Sequence, residues 1–157
     1  MKKELYDKVY RLLRDVTPLK ADCGTLCDKN CCRGDEGMGM LLFPREETEL
    51  SVIEKNGRRL AVCGGTCDRY KRPLSCRIFP FFPAVKDGEI YITPDYRGIN
   101  ICPMVAHCDE IVFSRRFFRR LEKAGKILYE DKDCAEFMEE ITEEIEDARE
   151  INRIFGD

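Results

Sequence analysis

Apolar residues recur at three- and four-residue steps near both ends of this chain and lose that period in the middle. From Lys2 to Val16, the residues Leu5, Val9, Leu12, Leu13 and Val16 mark one face of a helix, which Thr17-Pro18 ends. Towards the other end, Asp109 to Ala124 places Val112, Phe113, Phe117 and Leu121 inward, with Gly125 as the glycine expected just past a helix. Asp133-Cys134-Ala135-Glu136 reads as a capping box, and the helix it opens carries Phe137, Ile141, Ile145, Ala148 and Phe155 on one face.

Between these ends the pattern is irregular. Residues 23–40 hold four Cys and four Gly with no periodicity, the mark of a loop that something else must hold in place. Met40 to Phe43 reads as a short strand. Pro44 predicts a helix with Glu46, Glu47 and Glu49 in its first turns and Leu50 and Ile53 inward, stopping near Asn56-Gly57. Ala84-Val85 and Ile90-Tyr91-Ile92 flank Asp87-Gly88, a type I′ hairpin signal. Ile99 and Ile101 add a strand before the Cys102-Pro103 turn. No repeat, low-complexity linker or domain boundary interrupts the chain, and 157 residues is the size of one ordinary domain. The expected fold is a small α+β domain spanning 1–157. Helical N- and C-terminal parts enclose a cysteine-rich, loop-dominated centre at 20–108 with short strands, and the C-terminal helices occupy 109–155.

Charge narrows the partners more than the fold. The 27 basic and 30 acidic side chains leave a net −3, without the basic footprint of a nucleic-acid binder. The longest apolar stretch, Ile78 to Val85, is interrupted by Pro80 and Pro83, so no membrane span is expected. The start, Met1-Lys2-Lys3-Glu4, lacks the apolar run of a secretory signal, and the expected location is cytoplasmic.

That location decides how the 10 Cys are read. Thiols stay reduced in the cytoplasm, where clustered cysteines bind metal or catalyse more often than they form disulfides. Nine of the ten fall in three groups: Cys23-x3-Cys27-x3-Cys31-Cys32, Cys63-x3-Cys67-x8-Cys76 and Cys102-x5-Cys108. Their flanks are Gly, Asp, Lys and Arg, which argues against plain core packing. Thiolates are soft ligands that select zinc, copper(I) or iron–sulfur centres, and four of them suit one Zn²⁺ or one cubane cluster. A lone imidazole, His107, disfavours zinc sites built on paired His, and its more common role is at the surface or at a cap. Cys134, isolated on a predicted helix, is expected to be a buried apolar residue. Gly34-x2-Gly37-x-Gly39 is no phosphate loop, because no Lys-Ser/Thr follows it. Arg115, Arg116, Arg119 and Arg120 share one short helix and could meet phosphate; the expected reading is a solvated face paired with the acidic run Glu139–Glu150.

The segment Cys67-Asp68-Arg69-Tyr70-Lys71-Arg72-Pro73-Leu74-Ser75-Cys76-Arg77-Ile78-Phe79-Pro80-Phe81, with the upstream Cys31-Cys32 cluster, resembles the YkgJ-like cysteine-cluster family, a zinc- or iron-chelating domain. That family carries a Cys-x2-Cys-x2-Cys-Cys run followed by Tyr-x-x-Arg-Pro-x-x-Cys-Arg-x-Phe/Tyr-Pro. Here one residue fewer separates Tyr70 from Arg72, and the first run has three-residue spacings. The resemblance covers about residues 20–108. It implies Cys23, Cys27, Cys31, Cys32, Cys67 and Cys76 as metal ligands, Cys63 and Cys102 at looser positions, and Cys108 beyond them. Arg72 and Arg77 lie beside these thiols, where cations offset the negative charge of a thiolate centre and tune its potential. Phe79, Phe81 and Phe82 are expected to shield the centre, or simply to pack in the core.

The expected function is that of a metal-binding protein holding an iron–sulfur cluster or Zn²⁺ through cysteine thiolates, as a redox or structural centre. Nine clustered thiols, one imidazole and an adjacent Cys pair tilt the metal towards iron–sulfur. One alternative is a methyltransferase-like enzyme, since a related domain occurs in flagellin lysine methylase; the chain shows no glycine motif for a methyl donor. Another is a zinc-stabilised module whose acidic C-terminal helix binds a protein partner. Neither nucleic acid nor membrane is an expected partner.

Overall fold

A computed structural model describes residues 2–16, 40–55, 57–62, 73–98 and 113–155. The predicted Ile99–Ile101 strand, Asp109–Val112, His107, Arg72 and eight of the nine clustered cysteines lie outside the described residues, as does the side chain of Phe155. The architecture is α+β, with helices at both ends and two small antiparallel sheets.

The N-terminal apolar stripe forms helix α1, Lys2–Leu13, which buries Val9 and Leu13 and is followed by buried Val16. Tyr6 joins them in the core, shifting the buried face towards a 6, 9, 13, 16 seam; Leu5 and Leu12 remain half-buried. An aromatic ring with a hydroxyl can sit there because the hydroxyl has a partner, the carbonyl of Pro44.

Strand β1, Met40–Leu41, lies where a strand was expected. The Pro44 helix does not form. Residues 44–50 make turns, and Ser51–Lys55 is strand β2, paired with β3, Arg58–Val62, in a sheet of order β1-β3-β2. Lys55 pairs with Arg58, so the chain turns here in a hairpin rather than ending a helix, and Gly57 has φ 78°. The strand escaped the hydrophobic pattern because β2 is an edge strand that is mostly exposed; Val52 is 43% exposed, and only Ile53 is half-buried. Short helix α2, Leu74–Ile78, leads into the predicted hairpin of β4, Phe81–Lys86, and β5, Glu89–Pro94. Asp87 and Gly88 have φ 53° and 78°, as a type I′ turn requires. A 3₁₀ turn follows at Tyr96–Gly98.

Helix α3, Arg115–Tyr129, starts at Ser114, whose Oγ accepts from Phe117 N at 3.2 Å. Phe113 just before the cap and Phe118 in the first turn meet with ring centroids 6.1 Å apart, a hydrophobic staple that sets the entry angle. The helix continues through Gly125, which corrects its assignment as the residue past the end. A Cβ at Gly125 would stand 2.8 Å from Pro83 Cβ and 3.0 Å from Ile90 Cγ2, so this glycine lets α3 press onto the β4–β5 hairpin. Gly125→Ala should therefore destabilise the fold by about 1–3 kcal/mol through overpacking, although alanine is the better helix former by about 1 kcal/mol. Chemical denaturation checks the sign, and a net gain would mean the hairpin can yield.

Helix α4, Lys132–Phe155, is capped by Asp131, whose Oδ2 accepts from Cys134 N at 3.0 Å, two residues before the predicted cap. Asp133 instead pairs with Arg45 at 2.8 Å. Ile141 and Ile145 are fully buried, as their period demands, and Ala148 is half-buried. Two aromatic groups close the core. Phe43 packs between Phe82 and Phe137, with centroids at 6.0 and 4.8 Å, while Phe81 meets Phe113 and Phe118 edge-on at 4.8 and 4.9 Å. Burying such rings stabilises by about 1.5–3 kcal/mol each. Phe81 and Phe82 thus serve as core, and Phe79 is half-buried. No helix among the described residues is long and apolar enough to cross a membrane.

Candidate functional site

Of the nine clustered cysteines, Cys76 is the one among the described residues. It sits half-buried in α2, a helix too short to hold itself. Its packing supplies what length does not. Leu74 and Ile78, one turn apart, are buried in the core. Leu74 N donates to Glu46 Oε2 at 2.7 Å, Ser75 Oγ donates to the carbonyl of Leu41 on β1, and Phe79 N donates to Ser75 O at 3.0 Å. Cys76 is thereby held at a defined position against β1.

Several described residues that border the cysteine-bearing stretches lie at this helix or on the strands beside it. Met40, the first residue after the stretch containing Cys23, Cys27, Cys31 and Cys32, pairs with Ala61. Val62 ends the same strand, β3, and Cys63 is the next residue. The stretch with Cys63 and Cys67 rejoins at Pro73, directly before α2. The flanks of Cys102 and Cys108 are tied nearby. Asp95 N, three residues before Gly98, donates to Pro80 O at 2.6 Å, and Phe113 packs on Phe81. The described flanks Met40, Val62 and Pro73 thus lie on β1, on its partner β3 and at the start of the helix that carries Cys76.

Arg77 follows Cys76, and its guanidinium lies over the Tyr10 ring, 4.8 Å from the centroid. Tyr10 belongs to a buried polar knot beneath α2. Glu46 is fully buried; its Oε1 accepts from Phe43 N at 3.0 Å, and its Oε2 accepts from Leu74 N and from the Tyr10 hydroxyl. The Tyr6 hydroxyl lies 3.4 Å from Cys134 Sγ, and Arg59 Nη2 donates to Phe43 O at 3.1 Å. Burial pushes the Glu46 carboxyl above its ordinary range, against the pull of its hydrogen bonds. Burial, then the Glu46 charge, raises Tyr10 well above the usual phenol range, so the phenol remains a donor; Tyr6 is raised too, first by burial and then by its contact with Cys134. Cys134 itself is a fully buried core residue, as expected.

The sequence reading missed this knot. Tyr6 and Tyr10 stand four residues apart beside the apolar stripe, a signal that was available. Glu46 carried none, because a carboxylate after Pro44 looks like an ordinary first-turn helix residue. The arginine expectation is also corrected. Within the acidic run, Glu140 and Glu144 pair with Arg58, Glu144 also approaches Arg97, and Glu146 and Glu150 pair with Arg149 and Arg153 of their own helix. Among the described residues, Arg115, Arg116, Arg119 and Arg120 form no ion pair with that run. Nor do the described residues include a group of three or more His, Cys, Asp or Glu side chains arranged to hold a metal ion. The chain matches no protein-family model, no curated protein and no solved structure.

Proposed function

We propose that this chain is a thiolate metal-binding protein of the reducing cytoplasm, akin to the YkgJ-like cysteine-cluster family. In this reading Cys76 joins thiolates from the three cysteine groups around a redox or structural centre. The observation that carries the reading is the anchored helix α2, which holds Cys76 beside β1, with Met40 on β1, Val62 on β3 and Pro73 at the helix start as described flanks of the cysteine groups. A donor set of up to nine thiols fits a soft metal, and the half-buried Cys76 offers a sulfur with partial shelter from water. An iron–sulfur cluster, when bound, supplies one-electron redox chemistry; zinc supplies rigidity alone. Iron–sulfur is favoured, because the chain has one His against ten Cys. Arg77 lies next to the ligand position and brings positive charge there, while its stack on Tyr10 joins that charge to the rigid knot.

Protein purified without oxygen should contain iron and acid-labile sulfide and absorb in the visible through thiolate-to-iron charge transfer. Zinc in their place, with no colour, would select the structural form of the centre. Cys76→Ser should weaken metal retention by about tenfold or more, since even outer-shell changes cost that much. Cys134→Ser should leave metal content unchanged. Metal-free protein with its cysteines paired as disulfides would sink the reading.

A further inference from the structure

We propose that the groove between α1 and α3 binds a small anion carrying several closely spaced phosphates. Lys8 and Arg11 of α1 and Arg116, Arg119, Arg120 and Lys123 of α3 line an open cavity of about 710 Å³. The spacing explains the alignment: 8 and 11 share one face of α1, and 116, 119, 120 and 123 share one face of α3. The acidic residues of the same helices, Glu4, Asp7 and Glu122, do not line the cavity, and Glu122 is held by Lys126 at 3.3 Å. Among the described residues, none of the six cations has a carboxylate within ion-pair distance.

Arg45, Arg58, Arg97, Arg149 and Arg153 all face carboxylates. A chain of net −3 has acid to spare, yet leaves six cations together, where their mutual repulsion works against folding. An anion in the groove relieves that repulsion. Arg120 Nη1 donates to Leu12 O at 3.1 Å, which anchors one guanidinium in the seam between the helices.

The lining chemistry selects the ligand. Four of the six cations are arginines, whose planar forks match phosphate oxygens in pairs. The uncharged lining residues, Leu12 and Ile127, are aliphatic, so the groove offers no ring on which a base could stack. The volume suits a small molecule. A nucleic-acid backbone would need a basic track beyond the groove, and a chain of net −3 opposes one. Inorganic polyphosphate and a phosphorylated polyol share the required chemistry.

Full-length protein prepared without oxygen should be titrated calorimetrically at about 0.15 M salt, where weak surface attraction is screened. The probes are inorganic triphosphate, inositol hexakisphosphate, orthophosphate, a short DNA duplex and phosphatidylserine vesicles. Triphosphate or the inositol phosphate should bind about tenfold or more tighter than orthophosphate, and whichever is tighter identifies the source. The double variant Arg116→Gln, Arg119→Gln removes two exposed forks and should weaken that binding by about tenfold or more. Arg119→Lys should fall between it and the parent, and Lys86→Gln, exposed on β4 and outside the groove, should bind as the parent does. Bound polyanion should also raise the thermal midpoint of the parent and not of the double variant. Equal affinity for orthophosphate, binding that survives the double variant, or tighter binding of duplex or vesicles that triphosphate does not displace would each overturn the proposal.

Discussion

Glu46→Ala is expected to cost about 4 kcal/mol of folding free energy. The Glu46 carboxylate accepts hydrogen bonds from Phe43 N, Leu74 N and the Tyr10 hydroxyl, and it has no exposure to water. Each donor left without an acceptor costs about 1–3 kcal/mol, and water entering the space offsets part of the total. Glu46→Gln keeps one acceptor oxygen but turns an amide NH₂ towards donors, so about 2 kcal/mol is expected there. Urea unfolding of both variants measures this, and a loss below about 1 kcal/mol for alanine would show that water replaces the carboxylate. The pH dependence has a definite sign. Burial raises the folded-state pKa of Glu46, so the folded protein holds this proton more tightly than the unfolded chain does. Its stabilising contribution is complete below the unfolded value near 4.3 and is lost as pH rises through the folded value. The advantage of the parent over Glu46→Gln should therefore shrink as pH rises from about 4, and an advantage that grows would mean the hydrogen bonds outweigh desolvation. Because Leu74 N opens α2, metal retention through Cys76 should weaken in parallel.

Stripping the proposed metal centre is expected to lower the thermal midpoint by roughly 8–16 °C while leaving the helical signal intact. A ligand held a thousandfold above its dissociation constant stabilises by about 4 kcal/mol, and each kcal/mol moves the midpoint by about 2–4 °C in a chain this long. Structural zinc can contribute about 10–16 kcal/mol of apparent binding free energy in small peptides, where folding depends on it altogether. Here α1, α3, α4 and the β4–β5 hairpin close on one another through Val9, Leu13, Phe117, Leu121, Ile141 and Ile145, and among the described residues this core includes no clustered cysteine. Differential scanning calorimetry and far-ultraviolet circular dichroism on stripped protein separate the two effects. An unchanged midpoint would mean the thiols hold nothing in the folded state; loss of the helical signal would mean the apolar core cannot stand alone.

The three long helices and the β4–β5 hairpin were legible in the sequence because each rests on a local rule. A 3.6-residue apolar period marks α1, α3 and α4 whatever surrounds them, and Asp87-Gly88 supplies the positive φ angles of its own turn. The burial of Cys134 was also legible, from its ordinary helix neighbours alone. Tertiary structure decided the elements whose partners lie far along the chain. Ser51–Lys55 is a strand because β3 pairs with it; its side chains are too exposed to alternate, and Pro44 with three glutamates imitates a helix start. Gly125 looks like a stop until Pro83 and Ile90 are brought against it. Glu46 is the sharpest case, since nothing within several residues of it distinguishes a solvated carboxylate from a buried acceptor. Its donors lie on α1, at Phe43 and at the start of α2, and only the closed fold brings them within hydrogen-bond reach, where the missing water makes each bond count.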